Sequence, residues 1–314
     1  MDDASGRCSG RLGLGHVMGK SILSMKSVRG SGNATKRVCV ATPLGSQPKL
    51  EYTRDEEISL AHLHHHLGEF DKYMIAPRGV KSYHPGFEAR EFDTKYFGSV
   101  AAHCAFQMSE DFFEGFSDYD YIFMYHLDCL VFSNQLEYWC DQGWDYIGAP
   151  WMPGPDAPWL NKPRVGNGGF ALFNVQNCLK VLRSNRYNFD PMTRFKQTWR
   201  ETPTMKGRLA KMPKLALRWF HPFNGVKQRI KVWLDCELGS DFFWADDAVR
   251  FDPQFRVADV DSGVRFAFET EPRTCFKMTG GQMPFGCHAW ARYDRAFWEP
   301  HLLPMDQVLA ARAS

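Results

Sequence analysis

The 314-residue chain contains no stretch approaching the ~20 uninterrupted apolar residues of a membrane-spanning helix. It also lacks any Cys-x-x-Cys pair. Its nine cysteines are scattered without ligand spacing, which argues against a disulfide framework or a structural zinc site and suits reduced, mostly buried thiols in a cytoplasmic protein. Charge of one sign is missing too: the formal net charge is +2, so no nucleic-acid partner is expected. No internal repeat is visible. The glycine-rich VGNGGF lacks the Lys-Ser/Thr ending of a P-loop, and no nucleophile elbow or Ser-His-Asp ordering occurs. The opening MDDASGRCSG is acidic and has no apolar segment after it, so it does not read as a secretory signal. Residues 1–35, rich in Gly, Ser, Lys and Arg, read as a disordered tail, and 301–314 as a C-terminal tail. Residues 36–300 then form one domain.

What is present is apolar and aromatic. Hydrophobic residues make up 44% and aromatic residues 15% of the chain, enough for a large core. RVCVATPL reads as a strand. TRDEEISLAHLHHHLGEF reads as a helix, with Leu60, Leu63 and Leu67 on one face and Thr53 with Glu56 as a capping box. KYMIAP, DYDYIFMY and DYIGAP read as further strands, with helices across GSVAAHCAFQMSEDFFEGF and SNQLEYWCDQG. Alternating strands and helices predict an α/β fold: a Rossmann-type, mostly parallel central sheet flanked by helices. Ligands of such sheets bind at the carboxyl ends of the strands. Beyond residue 150, NGGFALFNV reads as a turn and strand, VQNCLKVLRSN as a helix, and LGSDFFWADDAVRF as helical. Residues 190–234 read as an irregular, basic and aromatic insertion.

The most apolar run, YIFMYHLDCLVF over 121–132, contains one carboxylate, Asp128. A buried, unpaired carboxylate costs several kcal/mol, so it needs a partner, a proton or a metal. In an extended chain His126 and Asp128 point the same way and converge on a divalent cation. The alternative is an Asp that caps the next helix. In HLHHH, His62 and His66 have i,i+4 spacing but no acidic partner of the HExxH kind, and they read as a solvated helix face.

The segments YIFMYHLDCLVF, LEYWCDQGWDYIGAPW, VGNGGFALFNV, FAFET and PFGCHAW, in that order, resemble a largely uncharacterised glycosyltransferase-like domain family with a GT-A-type fold. In GT-A enzymes an apolar strand ends in an Asp-x-Asp-type motif. Here HLD stands in its place, with His126 at the first acidic position and Asp128 matching the second. The resemblance implies a metal-dependent glycosyltransferase with a nucleotide-sugar donor, a glycan or lipid-phosphate acceptor, and Mn²⁺ or Mg²⁺. It also implies that His288 returns to the metal and that Asp247, the second acid of ADDAVRF, is the catalytic base. The residues alone leave His288 as a core histidine and Asp247 as a solvated helix turn. Adjacent helical positions diverge by ~100°, so Asp246 and Asp247 are expected to face different ways, one toward the cleft. Asn167, Gly168 and Gly169 are expected to cradle the donor sugar, or else to make a tight turn. Thr42, Pro43 and Arg78 follow the first two strands, where a nucleotide would lie.

Residues 194–231 carry eleven Lys or Arg and one acid, Glu201, a formal charge of +10. Lys206, Arg208, Lys211, Lys214 and Trp219 in this window are candidates for contact with an acceptor or with an anionic membrane, at the inner face of which a cytoplasmic enzyme would sit peripherally. A solvated insertion is the alternative. Two other functions are weighed: a catalytically inactive GT-A-like nucleotide- or carbohydrate-binding protein, and a metal-dependent phosphohydrolase or nucleotidyltransferase.

Overall fold

Strand and helix alternate through the first part of the chain because apolar runs are separated by capped starts. In the computed structural model, which describes residues 37–43, 52–84, 86–237, 239–304 and 308, these elements are β1 (Val38–Pro43), α1 (Arg54–Leu67), β2 (Asp71–Pro77), β3 (Glu88–Phe92), α2 (Val100–Gln107), α3 (Glu110–Glu114) and β4 (Tyr121–Tyr125). The Thr53 capping box opens α1: Thr53 Oγ1 accepts from Glu56 N at 3.3 Å, and the Glu56 carboxylate accepts from Thr53 N at 2.9 Å. The single helix expected over 98–116 is two, because Ser109 Oγ accepts from Phe112 N and starts a new turn. The residues 1–35 expected as a tail lie outside the described residues.

The chain continues through β5 (Leu130–Val131), α4 (Leu136–Asp141), β6 (Tyr146–Gly148), β7 (Pro150–Trp151), β8 (Arg164–Val165), β9 (Phe170–Asn174) and α5 (Val175–Leu182). The stretch expected to be irregular is helical instead: α6 (Pro191–Glu201), α7 (Met205–Leu217), α8 (His221–Asn224) and α9 (Val226–Asp235). Asp190 and Thr204 cap α6 and α7, while the prolines and glycines that break the pattern fall at or between helix ends, apart from Gly207 and Pro213 inside α7. α10 (Ser240–Phe242), a π-helical turn (Phe243–Asp247), α11 (Ala248–Phe251) and α12 (Val260–Phe266) follow. The described chain closes with β10 (Ala267–Phe268), α13 (Pro272–Met278), β11 (Gly286–Cys287) and α14 (Arg295–Trp298).

The central sheet has the order β3-β2-β1-β4-β9-β6. β1 pairs in parallel with β2 and β4, and β2 with β3. β9 is antiparallel to both β4 and β6, so the other five strands share one direction. The run without polar interruption is buried on both faces, as expected of a central strand. Ile122 and Met124 pack on one side with Phe113, Phe173 and Trp244, while Tyr121, Phe123 and Tyr125 pack on the other with Phe170 and Phe266. A second sheet, β10-β11-β5, carries a third core around Trp290 and Trp298.

Residues 301–304, expected to begin a tail, dock on α1: Leu303 N donates to His62 Nε2 at 3.0 Å. His62 is therefore a buried core residue, correcting its reading as a solvated one.

Candidate functional site

Three backbone pairings assemble the site at the carboxyl end of β4. β9 runs antiparallel from Phe170 opposite Tyr125, which brings the preceding glycine loop beside the end of β4. His126 N donates to Gly169 O at 2.9 Å. β5 then pairs with β11 so that Cys287 faces Leu130, and β11 pairs with β10 so that Phe268 faces Cys287. That register carries His288 and Glu269 back to Asp128. His126 and Asp128 converge, but through a turn and not through strand alternation: β4 ends at Tyr125, and Cys129 N donates to His126 O at 3.1 Å.

His288 lies between two carboxylates. Its Nδ1 is 2.8 Å from Glu269 Oε1, and its Nε2 is 3.4 Å from Asp128 Oδ1. Burial alone would lower the pKa of His288, but Glu269 and Asp128 push it up to about 10. Burial would raise Asp128, yet the facing His288 holds it below the usual carboxylate range. His126 is pushed down to about 3, by burial first and then by His103 and His288. Asn167 orders the loop from a left-handed backbone (φ 79°). Its Oδ1 accepts from Gly169 N at 2.7 Å and Phe170 N at 2.8 Å, leaving Nδ2 2.7 Å from His288 Nδ1.

This arrangement fits a divalent cation. His126, Asp128 and His288 each offer one ligand atom, all within 4.8 Å of one another. His126 Nε2 is buried with no hydrogen-bond partner among the described residues. Glu269 holds His288 by its other nitrogen, the usual support for a metal-binding imidazole. A Cβ on Gly169 would stand 2.9 Å from His126 Nδ1 and closer still to His288 Nε2, so the glycine keeps the space between the rings clear.

Two of the three candidate ligands, His126 and Asp128, line a cleft of about 820 Å³ that also includes Pro43, Tyr52, His84 and Phe97, a size suited to a nucleotide-sized ligand. Tyr52 and His84 stack with ring centroids 5.4 Å apart. Of the residues expected to bind a donor, Asn167 and Gly169 stand at the candidate metal site. Gly168 O accepts from Gln107 Nε2 at 3.0 Å. Thr42 is fully buried, with Oγ1 lacking a partner among the described residues. Arg78 is exposed and does not line the cleft.

Asp247 does not line the cleft. Its side chain is 1% exposed, and its carboxylate accepts from Arg229, from Trp233 Nε1 at 2.5 Å and from Arg250 at 2.6 Å. Two guanidiniums and an indole engage its lone pairs, which is the setting of a structural anchor and not of a free base. Asp246 pairs with Arg164 at 2.5 Å. Two carboxylates that the sequence reading passed over are near the site. Glu269 is one. Asp241 is the other: burial pushes it up to about 6, and Glu269 adds to the shift. Its neighbour Ser240 donates to Gln107, which holds the Gly168 loop. Glu269 follows the apolar FAF of FAFET as Asp128 interrupts its own run, and that repeated anomaly was the available signal. Lys206, Arg208, Lys211, Lys214 and Trp219 belong to α7 and the turn after it.

A mostly parallel sheet with one antiparallel strand inserted before its last, and a candidate metal-ligating turn after the fourth strand, is the arrangement of a GT-A-like α/β fold. Within that class, the chain belongs to the family described as "Protein of unknown function (DUF5672)", which matches residues 86–288. No curated protein matches the sequence. Similar solved structures include the apo glycosyltransferase GlyE of Streptococcus pneumoniae TIGR4, at 14% identity and TM-score 0.40 over 88% of this chain and 63% of that one. The apo bifunctional glycosyltransferase WbbM is 11% identical, with TM-score 0.42, over 90% of this chain and 50% of its own. The galactosyltransferase LgtC, in complex with donor and acceptor sugar analogs, is 10% identical, with TM-score 0.37, over 86% of this chain and 95% of its own. This chain therefore spans less than two thirds of GlyE and of WbbM. The fold assignment rests on strand order and register.

Proposed function

We propose that the protein is a metal-dependent glycosyltransferase that moves a sugar from a nucleotide-sugar donor to a glycan or lipid-linked acceptor. The observation that carries this reading is the convergence of His126, Asp128 and His288 at the edge of a nucleotide-sized cleft, at the carboxyl end of a central strand. A divalent cation held by these three would neutralise the leaving diphosphate. Two imidazoles with one carboxylate favour a Mn²⁺-like ion over Mg²⁺, which prefers oxygen.

The chain's own groups do the rest. Glu269 fixes the orientation of His288. Asn167 holds the loop that faces the sugar. The acceptor hydroxyl must lose a proton as it attacks. Asp241, with a pKa of about 6, is ionised at neutral pH yet more basic than an ordinary carboxylate, which suits a proton acceptor at its carboxylate oxygen.

The test is calorimetry of nucleotide sugars with and without Mn²⁺, followed by turnover. Asp128→Asn keeps the shape and is expected to abolish metal-dependent donor binding in a folded protein. Asp241→Asn is expected to retain donor binding and lose ~10²–10⁴-fold in kcat, and the wild-type rate should fall below pH 6. Unchanged Mn²⁺–nucleotide affinity in Asp128→Asn would defeat the metal assignment. Donor binding with no transfer to any acceptor would return the inactive, binding-only reading.

A further inference from the structure

The helices from α6 to α9 present a surface that the transfer chemistry does not use. No residue of α7 is buried. Met205, Leu209 and Met212 recur at i, i+4 and i+7, so they form one stripe along the helix, and all three are exposed. Trp219, Phe220 and Phe223 extend the exposed apolar surface through the following turn. A helix in a globular protein ordinarily turns such a stripe to the core; this one turns it outward.

The charge around the stripe has one sign. Residues 194–231 hold eleven Lys or Arg and one acid, +10 within a chain of +2, so the remainder of the chain is acidic. Among the described residues only Lys227 and Arg229 of the eleven pair with a carboxylate, Glu110 and Asp247. At ~100° per residue, Lys206 and Arg208 flank the stripe. A soluble polyanion is matched by the charge but offers nothing to cover Met205, Leu209, Met212 and Phe220. An anionic bilayer meets both: headgroups for the cations and the acyl boundary for the apolar side chains.

We propose that α7 and the turn after it dock on an anionic membrane surface, with the Met205–Leu209–Met212 stripe entering the headgroup–acyl boundary. Docking needs neither donor nor turnover, so it stands or falls apart from the transfer reading.

The experiment is co-sedimentation of the full chain with vesicles of phosphatidylcholine, alone or mixed with phosphatidylglycerol, over a salt series. Binding is expected only with the anionic lipid and is expected to weaken as salt shortens the screening length to ~10 Å and below. Lys206, Lys214 and Arg218 make no side-chain hydrogen bond or ion pair among the described residues, so replacing all three with Gln leaves the fold intact, checked by circular dichroism. That variant is expected to lose about tenfold or more in partitioning. Leu209→Gln with Met212→Gln is expected to lose about tenfold as well. Equal binding to both vesicle types, or none to the anionic ones at low salt, overturns the proposal. Anionic binding that survives the apolar substitutions also overturns it, because the stripe then does not enter the bilayer.

Discussion

Glu269 shows how one buried carboxylate can set the chemistry of a neighbour. It is buried beside β10, accepts from His288 Nδ1 at 2.8 Å, and leaves the opposite nitrogen aimed at Asp128. A histidine held this way presents one tautomer and one ring orientation to a cation, and removing such a partner typically lowers metal affinity ~10–100-fold. Glu269→Gln keeps the size of the side chain and weakens the hydrogen bond. Calorimetric Mn²⁺ affinity without any nucleotide is therefore expected to drop within that range, while Glu271→Gln, outside the site, leaves it unchanged. Equal affinities for both variants and wild type would reduce Glu269 to a buried acid with no bearing on the metal. Asp241 was illegible in the sequence for a different reason. It sits in the first turn of a three-residue helix, ahead of the more conspicuous Asp246–Asp247 pair, and only tertiary burial separates its role from theirs. Asp247 matched a pattern, but the chain supplies Arg229 and Arg250 to occupy it.

At the scale of elements, β4 and the turn after it are held from below by one hydroxyl. Tyr125 is fully buried. Its Oη lies 2.9 Å from Ser59 O on α1 and 2.9 Å from Cys129 O in the turn, and it accepts from Ser59 Oγ at 3.1 Å. One proton serves two carbonyls. Tyr125→Phe leaves those buried acceptors short of a donor and is expected to cost about 1–3 kcal/mol in urea unfolding. The loss should be accompanied by weaker metal binding, because Cys129 follows Asp128 directly. A stability change under half that range would mean the hydroxyl is dispensable. Strands such as β1 and β4 were legible because each is a nearly uninterrupted apolar run, and α1 because its cap and its leucine face agree. β5, β10 and β11 were not, since two residues have no period to read. Those same short strands bring His288 and Glu269 to Asp128, so the segments of the site could be seen while the pairing that joins them could not. The helices α6 to α9 escaped because α7 points its apolar stripe away from the core and prolines interrupt the count.

For the whole molecule, the segment that supplies half of the site must be tied back to the first helix, and two contacts do so across some 240 positions. Arg295 forms a fork with Asp55, both bonds at 2.9 Å. His62 Nδ1 donates to Val131 O at 2.9 Å while its Nε2 accepts from Leu303 N at 3.0 Å. The second contact requires a neutral imidazole, and burial pushes His62 down to about 4. An unfolded histidine titrates near ~6.5. Between those values the unfolded chain binds a proton that the folded chain refuses, so the stability contributed by neutral His62 is complete above pH 6.5 and is lost as pH falls through 4. The slope from one such group is about 1.4 kcal/mol per pH unit. His62→Gln retains both hydrogen bonds in principle, with its amide donating to Val131 O and its carbonyl accepting from Leu303 N, but it does not titrate. Chemical denaturation between pH 4.5 and 6 is therefore expected to show wild type losing stability more steeply than His62→Gln, by about 1 kcal/mol per pH unit. Parallel curves would place the acid sensitivity elsewhere, with His84, a residue lining the cleft that burial pushes down to about 4, the next to replace.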